Sequence, residues 1–185
     1  MAKEMKSMVE LTKIKSDKVG HIFSVRAENE LQNGNCVKLG KVEVENPEIY
    51  KAEKAKEGDL VALVAHPWIV KDANTRGQDQ EYYFSIDAGT PARAYELGLE
   101  DFFAVTAESL ADGTDVETLT ANETFLVPDG NKWKVAATNP EKGTVLQFIR
   151  KYDRTAPRVQ MVMAQMDKNF KVPTFYNCRV VHHSL

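Results

Sequence analysis

The chain has 185 residues, 43% of them hydrophobic and 28% charged, and 24 lysines and arginines against 27 aspartates and glutamates give it a net charge of −3. This length fits one domain of ordinary size, or one domain with two small lobes, and the apolar content suffices for a core without disulfides or metal ions. The chain has no excess of basic side chains to neutralise phosphates, which argues against a nucleic-acid-binding protein.

The cysteines and the apolar runs indicate the cellular compartment in which the protein folds. Cys36 and Cys178 lie far apart in the sequence and do not form the pattern of a disulfide framework, so we expect free thiols in a reducing compartment. The first fifteen residues are charged throughout, unlike a signal peptide. The longest apolar run, residues 60–65, is far shorter than the roughly 20 residues that span a bilayer. We expect a soluble protein that folds in a cytoplasm and binds no membrane.

The first 18 residues are charged and weakly patterned, and their apolar side chains suffice for only one helical turn. We predict an extended N-terminal arm at residues 1–18, which a neighbouring subunit would order. A single β-rich domain is predicted at residues 19–185. Deleting residues 1–15 is then expected to leave the fold intact.

Alternating apolar and polar residues predict a first hairpin or meander with a polar outer face. Residues 21–27 alternate, Asn33 and Gly34 are typical of a hairpin turn, and residues 36–39 form the returning strand.

The next stretch contains the most apolar part of the chain. Residues 47–57 follow a proline with good helix formers, which fits either a short helix or a loop with one helical turn. Residues 60–65 are apolar without interruption, which indicates a central strand buried on both faces. Residues 66–80 form the largest predicted loop, with apolar residues before its polar half.

The rest of the chain repeats short strands and turns. A helical turn is predicted at residues 107–111 and a hairpin turn at residues 128–131. Strands are predicted at residues 82–86, 92–97, 102–106, 144–152, 159–166 and 175–181. We therefore predict a mostly β fold, a barrel- or sandwich-like domain of short antiparallel strands with little helix and an extended N-terminal arm.

Two stretches have the spacing of metal ligands. Residues 72–77 place Asp, Asn and Gly at positions 1, 3 and 6 of a calcium loop, but Arg76 occupies a position that needs an oxygen ligand. Cys178, His182 and His183 lie near each other in sequence, yet on a strand Cys178 and His182 would be about 13 Å apart, too far for one ion. We interpret the first stretch as a polar loop and the second as a buried thiol beside exposed histidines.

The sequence contains no recognisable nucleophile motif and no phosphate-binding glycine loop. We therefore expect no enzymatic activity, no metal and no cofactor. The two tryptophans are equally compatible with a core and with an interface. The residues predicted to form interfaces are Met5, Met8, Val9, Leu11, Trp68, Ile69 and Trp133.

Four stretches, in this order and spacing, carry a resemblance to a known family. They are the Asn33-Gly34 hairpin, residues 57–67 (EGDLVALVAHP), residues 88–97 (AGTPARAYEL) and residues 101–106 (DFFAVT). Over roughly residues 19–150 the chain resembles small structural proteins encoded among the head genes of tailed bacteriophages that infect Gram-positive bacteria.

This resemblance implies a virion component made in the host cytoplasm, a capsid decoration or cement protein. Its implied partners are the major capsid protein and copies of itself, as a homo-oligomer or as a subunit bound to the capsid lattice, and the family supplies no catalytic residues. The first alternative is a carbohydrate- or ligand-binding β module that assists host attachment, in which exposed aromatic rings would stack on sugars. A third hypothesis is a small hydrolase whose catalytic carboxylates form no recognisable motif.

Overall fold

In the structure, a computed structural model that describes residues 4–68, 81–154 and 172–184, two β layers pack against each other. One layer is a closed barrel with the strand order β2-β4-β3-β5-β6. Its strands are β2 (Ile22–Arg26), β3 (Cys36–Val42), β4 (Ile49–Glu53), β5 (Ala62–Val64) and β6 (Ala92–Glu96). The predicted mostly β, barrel-like class is confirmed.

The second layer is a six-stranded sheet with the order β1-β7-β11-β10-β8-β9. Its strands are β1 (Val9–Lys13), β7 (Phe102–Thr106), β8 (Phe125–Asp129), β9 (Lys132–Val135), β10 (Gly143–Asp153) and β11 (Thr174–Ser184). Helical structure in the described residues is limited to α1 (Ser16–Val19) and the 3-10 turns Glu81–Tyr83, Ala107–Ser109 and Val116–Thr118.

The uninterrupted apolar run at residues 60–65 forms β5, and both faces of this strand are buried as predicted. Ala62 and Val64 point into the barrel, whereas Val61 and Leu63 belong to a second core between the barrel and the sheet. Because successive side chains on a strand point to opposite faces, a strand between two cores must be apolar at every position.

Two cores therefore stabilise the fold. The fully buried side chains of the barrel core are small or aliphatic, and partly buried aromatic rings pack against them; the buried residues are Val25, Ala27, Leu31, Val37, Ala62, Val64, Ile86, Ala92 and Ala94. The core between barrel and sheet, which we call the seam, is larger and includes Trp133, Phe103, Tyr95 and both cysteines. Backbone groups cross the seam as well, since Val61 N–H donates to Thr144 Oγ1 at 3.1 Å and Thr144 N–H donates to Asp59 O at 2.9 Å.

The predicted Asn33-Gly34 hairpin is wrong. Strand β2 pairs in parallel with β4 and antiparallel with β6, so it does not contact β3 as a hairpin partner. Asn33 instead links two loops: its Nδ2 donates to His66 O at 3.0 Å, and its Oδ1 accepts from His66 N–H at 2.7 Å. Gly34 has the positive φ of a turn residue, 89°, whereas Asn33 does not, and long-range contacts decide which strand β2 pairs with.

Two further local predictions are wrong for the same reason. Within residues 47–57, Ile49–Glu53 form strand β4 instead of a helix, because β2 and β3 flank this strand on both sides and supply its hydrogen bonds. Residues 82–86 do not form a strand: the 3-10 turn Glu81–Tyr83 comes first, and Ile86 then makes an isolated bridge with Leu31 that closes one end of the barrel.

The prediction of an arm outside the domain is wrong for Ser7 to Ile14. Strand β1 pairs with β7 at the edge of the sheet, Met8 packs with Ala104 and Phe175, and Ile14 reaches the seam. An edge strand needs few inward-facing residues, so its apolar pattern is too short to detect in the sequence.

The other local predictions are confirmed where the structure describes them. The predicted strands at residues 92–97, 102–106, 144–152 and 175–181 correspond to β6, β7, β10 and β11, and the hairpin turn at residues 128–131 joins β8 to β9. The predicted strand at residues 159–166 lies outside the described residues.

Candidate functional site

The structure separates the predicted interface residues into three groups. Met8 and Trp133 are buried, and Met5 and Val9 are half-buried. Leu11 and Trp68 are exposed, and Trp68 has 39% of its surface accessible. Ile69 lies outside the described residues. Leu11 and Trp68 are thus the predicted residues whose side chains can meet a partner.

Trp133 is a core residue, so its prediction as an interface residue is corrected. Its ring packs against Phe103 in the seam with the ring centroids 6.1 Å apart. Its indole N–H donates to Gly34 O at 3.0 Å. A buried indole needs such an acceptor, and this one joins the sheet to the loop that enters β3.

The cysteines and the C-terminal histidines do not form a metal site. Both thiols are free and buried in the seam, and burial raises the pKa of Cys178 to about 12. His182 Nδ1 lies 3.1 Å from Gly143 O, and His183 Nδ1 lies 2.9 Å from Thr144 Oγ1. In the described part of the chain, no group of three or more His, Cys, Asp or Glu side chains is placed to hold a metal ion. The calcium-like residues 72–77 lie outside the described residues.

The barrel has two ends that differ in structure. Strands β3 and β6 begin at one end and β5 finishes there, and Trp68 follows β5 four residues later; we call this the Trp68 end. Strands β2 and β4 begin at the opposite end, where β3 and β6 finish. We call this second end the tip end, because the β3–β4 turn lies there.

At the Trp68 end the polar groups are paired and the rings are stacked. His66 stacks on Phe84 with 6.2 Å between ring centroids and 7° between planes. Burial, and secondarily the charge of Arg93, lowers the pKa of His66. This neutral imidazole accepts a hydrogen bond from Arg93 N–H at 3.3 Å through Nδ1. Trp68 lies two residues after His66 in the sequence, and its exposed indole is accessible to a partner, as large aromatic side chains at the centre of protein interfaces are before binding.

At the tip end the barrel opens into a cleft of about 320 Å³. Its floor is apolar and consists of Phe23, Leu39, Leu60, Val61 and Ala62. Its rim carries Lys38, Asp59, Glu96 and His183. Lys38 Nζ lies 2.7 Å from Asp59 Oδ1, and the hydrogen bond from Lys38 lowers the pKa of that carboxyl. A cleft of this size with an apolar floor and a polar rim is large enough for a small organic molecule.

The β3–β4 turn, residues 42–48, forms a projecting tip beside the cleft. Val42 is exposed, and Val44 is 99% exposed. The turn is nevertheless ordered: Ile49 N–H donates to Asn46 O at 2.9 Å, and Glu43 N–H donates to Ile49 O at 2.8 Å. The sequence Val-Glu-Val-Glu-Asn-Pro-Glu indicates an exposed apolar turn, since valines are uncommon in polar turns. This turn is not among the residues predicted to form interfaces.

A second exposed apolar group lies at the same end, at helix α1 and the β6–β7 turn; we call it the α1 corner. Val19 is 66% exposed and Leu99 is 51% exposed. Asp101 ties the two elements together, because its carboxylate accepts from Lys15 N–H at 3.0 Å and from Gly98 N–H at 2.7 Å. The helix ends at Gly20, whose φ of 81° is in the left-handed region. The corner is therefore rigid, yet its apolar side chains contact solvent.

Comparison with known proteins gives no match: no family model, no curated protein and no solved structure is similar to the chain. Within residues 4–68, 81–154 and 172–184, none of the helices has the length and apolar character needed to cross a membrane.

Proposed function

We propose that the protein is a non-enzymatic structural component of a tailed-phage virion, a decoration or cement protein that binds the lattice of the major capsid protein. The observation that carries this proposal is the resemblance of residues 57–67, 88–97 and 101–106 to phage head proteins. These stretches comprise β5, β6 and β7 together with the loop residues that precede each strand. They contribute Leu63, Tyr95 and Phe103 to the seam. The resemblance thus concerns the scaffold that joins the barrel to the sheet.

The surface supports a role in assembly. A protein that reinforces a shell needs a rigid body and separate surfaces for the shell and for neighbouring copies. The barrel has such surfaces at opposite ends, with Trp68 at one and exposed Val44 and Val19 at the other. We assign the capsid contact to the Trp68 end, because Trp68 is exposed there and tryptophan is among the side chains most enriched at positions that dominate binding energy.

A binding experiment with particles tests this proposal. Capsids that lack the protein are incubated with the purified wild-type chain, pelleted and analysed on gels, and decorated particles are imaged by cryo-electron microscopy. Trp68→Ala should reduce binding at least about tenfold. Val135→Ala, which changes another exposed apolar side chain on the sheet edge, should bind as the wild type does. Absence of wild-type binding to any capsid would contradict the proposal.

A second candidate function is a ligand-binding β module that assists host attachment, and the apolar cleft at the tip end favours it. Saturation-transfer NMR with host cell-wall sugars tests this candidate. A signal that disappears in Leu39→Glu, which places a charge on the cleft floor, and persists in Trp68→Ala would support it. If neither the wild type nor Trp68→Ala transfers saturation to the sugars, the ligand-binding function is excluded.

A further inference from the structure

We propose that the protein forms a two-fold symmetric dimer through the tip end of the barrel. In this dimer the β3–β4 tip of each copy contacts the α1 corner of the other. The inference goes beyond the proposed virion role and holds whether or not the protein binds a capsid. It rests on three properties of the tip end: the concentration of exposed apolar side chains, the opposite charges of tip and corner, and their placement on one face.

Exposed apolar side chains concentrate at the tip end. Seven large hydrophobic side chains are exposed in the described residues, and four of them lie there: Val19, Val42, Val44 and Leu99. Single exposed apolar residues are common, but several on one face together with an apolar cleft are typical of a surface that another protein covers. Both supporting turns are ordered by hydrogen bonds, so little conformational entropy is lost when they are covered.

The tip is acidic. Residues 42–48 contain three glutamates and no cation. Glu43 is paired with Arg26 within the same chain, with 2.6 Å between Glu43 Oε2 and Arg26 Nη1. Glu45 and Glu48 are exposed and have no ion-pair partner in the described part of the chain. Glu45, next to the fully exposed Val44, and Glu48, at the end of the turn, therefore carry negative charges without an ion-pair partner in the described residues.

The α1 corner is basic. Lys13, Lys15 and Lys18 are exposed there, against the exposed Asp17 of the same helix. Of the other two acids of the corner, Asp101 is buried and accepts two backbone hydrogen bonds, and Glu100 Oε2 lies 3.6 Å from Arg179 Nη1, so the lysines supply most of the exposed charge. Lysine side chains around Val19 and Leu99 thus complement the glutamates around Val44. Opposite charges that surround apolar contacts determine both the register of an interface and the choice of partner.

The strand register places tip and corner on one face. Ile22 pairs with Tyr95 and Ser24 pairs with Ile49, so α1, the end of β6 and the β3–β4 tip are all at the same end of the barrel. A surface that holds both halves of a complementary pair is self-complementary. A two-fold axis through that surface brings the tip of each copy to the corner of the other and closes the assembly at two subunits.

Sedimentation velocity of the full-length protein over a range of concentrations measures the association. We expect a monomer–dimer equilibrium that weakens as salt rises, because salt screens exposed charge pairs. Val44→Asp should weaken dimerisation at least about tenfold. Val135→Asp introduces the same charge at an exposed valine of the sheet and should leave the equilibrium unchanged. A wild-type protein that stays monomeric at all concentrations, or a Val44→Asp variant that dimerises normally, overturns the proposal.

A charge exchange tests which surfaces meet. Lys18→Glu should weaken the dimer, since it places a glutamate opposite Glu45, and adding Glu45→Lys in the same chain should restore it. Failure of the second change to restore association overturns the contact between tip and corner.

Cysteine cross-linking provides an independent readout, because both native thiols are buried. An equimolar mixture of Val19→Cys and Val44→Cys proteins should form a disulfide-linked heterodimer under mild oxidation, whereas each variant alone should not. Equal cross-linking of the Val44→Cys protein with itself overturns the predicted orientation.

Discussion

The two ends of the barrel are built from the same kinds of strand and turn, yet they differ in how their polar and apolar groups are used. At the Trp68 end, the loop that contains Asn33 and Gly34 is buried, and its polar groups bond to His66, Ser7 and Trp133. At the tip end, the turn around Val44 is solvated and its valines contact no core. The loop at the Trp68 end is thus held by buried hydrogen bonds, whereas the turn at the tip end presents exposed valines to solvent.

The difference follows from the cost of burying backbone. A buried loop must find a partner for every N–H and C=O group, so it becomes tied to whatever surrounds it. Ser7 donates a hydrogen bond to Asn33 O and also contacts the Ser109 hydroxyl, which connects the N-terminal segment, the barrel loop and the sheet in one network. A solvated turn has no such requirement, since water satisfies its polar groups. Buried hydrogen bonds therefore restrain the loop at the Trp68 end, whereas the turn at the tip end can be covered by a partner without losing any buried contact.

The largest expected effect comes from placing the same charge in the barrel interior and at its tip. Val64 is fully buried and Val44 is almost fully exposed. Val64→Asp should unfold the protein, because an unpaired buried carboxylate costs more than about 4 kcal/mol. Val44→Asp should leave the melting temperature unchanged at protein concentrations low enough for the wild type to be monomeric. Circular dichroism and thermal melts measure both.

Val61→Asp extends this comparison to the seam, where Val61 is buried. If barrel and sheet form one cooperative unit, charging either core should abolish the near-ultraviolet signal of Trp133. Retention of that signal in Val64→Asp would mean that the sheet folds without the barrel.

The N-terminal segment gives the next largest effect. Deleting residues 1–15 removes β1 together with Met8 and Ile14, so we expect a clear loss of stability instead of the neutral outcome that the sequence suggested. Met8→Ala alone should cost about 2–5 kcal/mol. Leu11→Ala, on the exposed side of the same strand, should cost less than about 0.5 kcal/mol. Urea unfolding of the two point variants measures the difference, and equal stability would show that β1 is not packed as described.

A glycine pair tests the attachment at the Trp68 end. Gly34 and Gly58 share a φ of +89°, which is strained for any side chain. A Cβ at Gly34 would overlap the Ser109 hydroxyl and lie 3.0 Å from the Ser7 hydroxyl, whereas a Cβ at Gly58 has open space. Gly58→Ala should therefore cost about 1 kcal/mol, and Gly34→Ala about 2–4 kcal/mol. Equal losses of stability in the two variants would mean that the hydrogen bonds among Ser7, Asn33 and Ser109 rearrange without a free-energy cost.

The smallest expected effect is a pH dependence at the tip end. Burial is the main reason that the pKa of His183 lies below its ordinary 6.5. The unfolded chain therefore takes up a proton before the folded one as the pH falls, so stability is fully present above pH 6.5 and decreases as the pH falls towards the pKa of the folded state. His66 contributes in the same direction. His183→Gln should flatten the decline in urea midpoint between about pH 6.5 and pH 5, where most carboxylates remain ionised. An unchanged slope would exclude His183 as its source.

The sequence by itself determined the strands whose side-chain pattern is complete within a few residues. Residues 60–65 revealed a strand between two cores, and β6, β7, β10, β11 and the β8–β9 hairpin were recognisable from alternation and turn residues. These elements depend on local periodicity, because the two faces of a strand alternate residue by residue wherever the strand lies.

Only the tertiary structure decided which strands pair and which surfaces stay exposed. Residues 47–57 have the composition of a helix, yet β4 forms because β2 and β3 offer hydrogen bonds on both sides. Met8 and Trp133 are indistinguishable in sequence from interface residues until β7 and Gly34 are placed beside them. Val44 and Val64 are the same residue type with opposite surroundings, because burial depends on neighbours that are distant in the sequence and therefore leave no local signal.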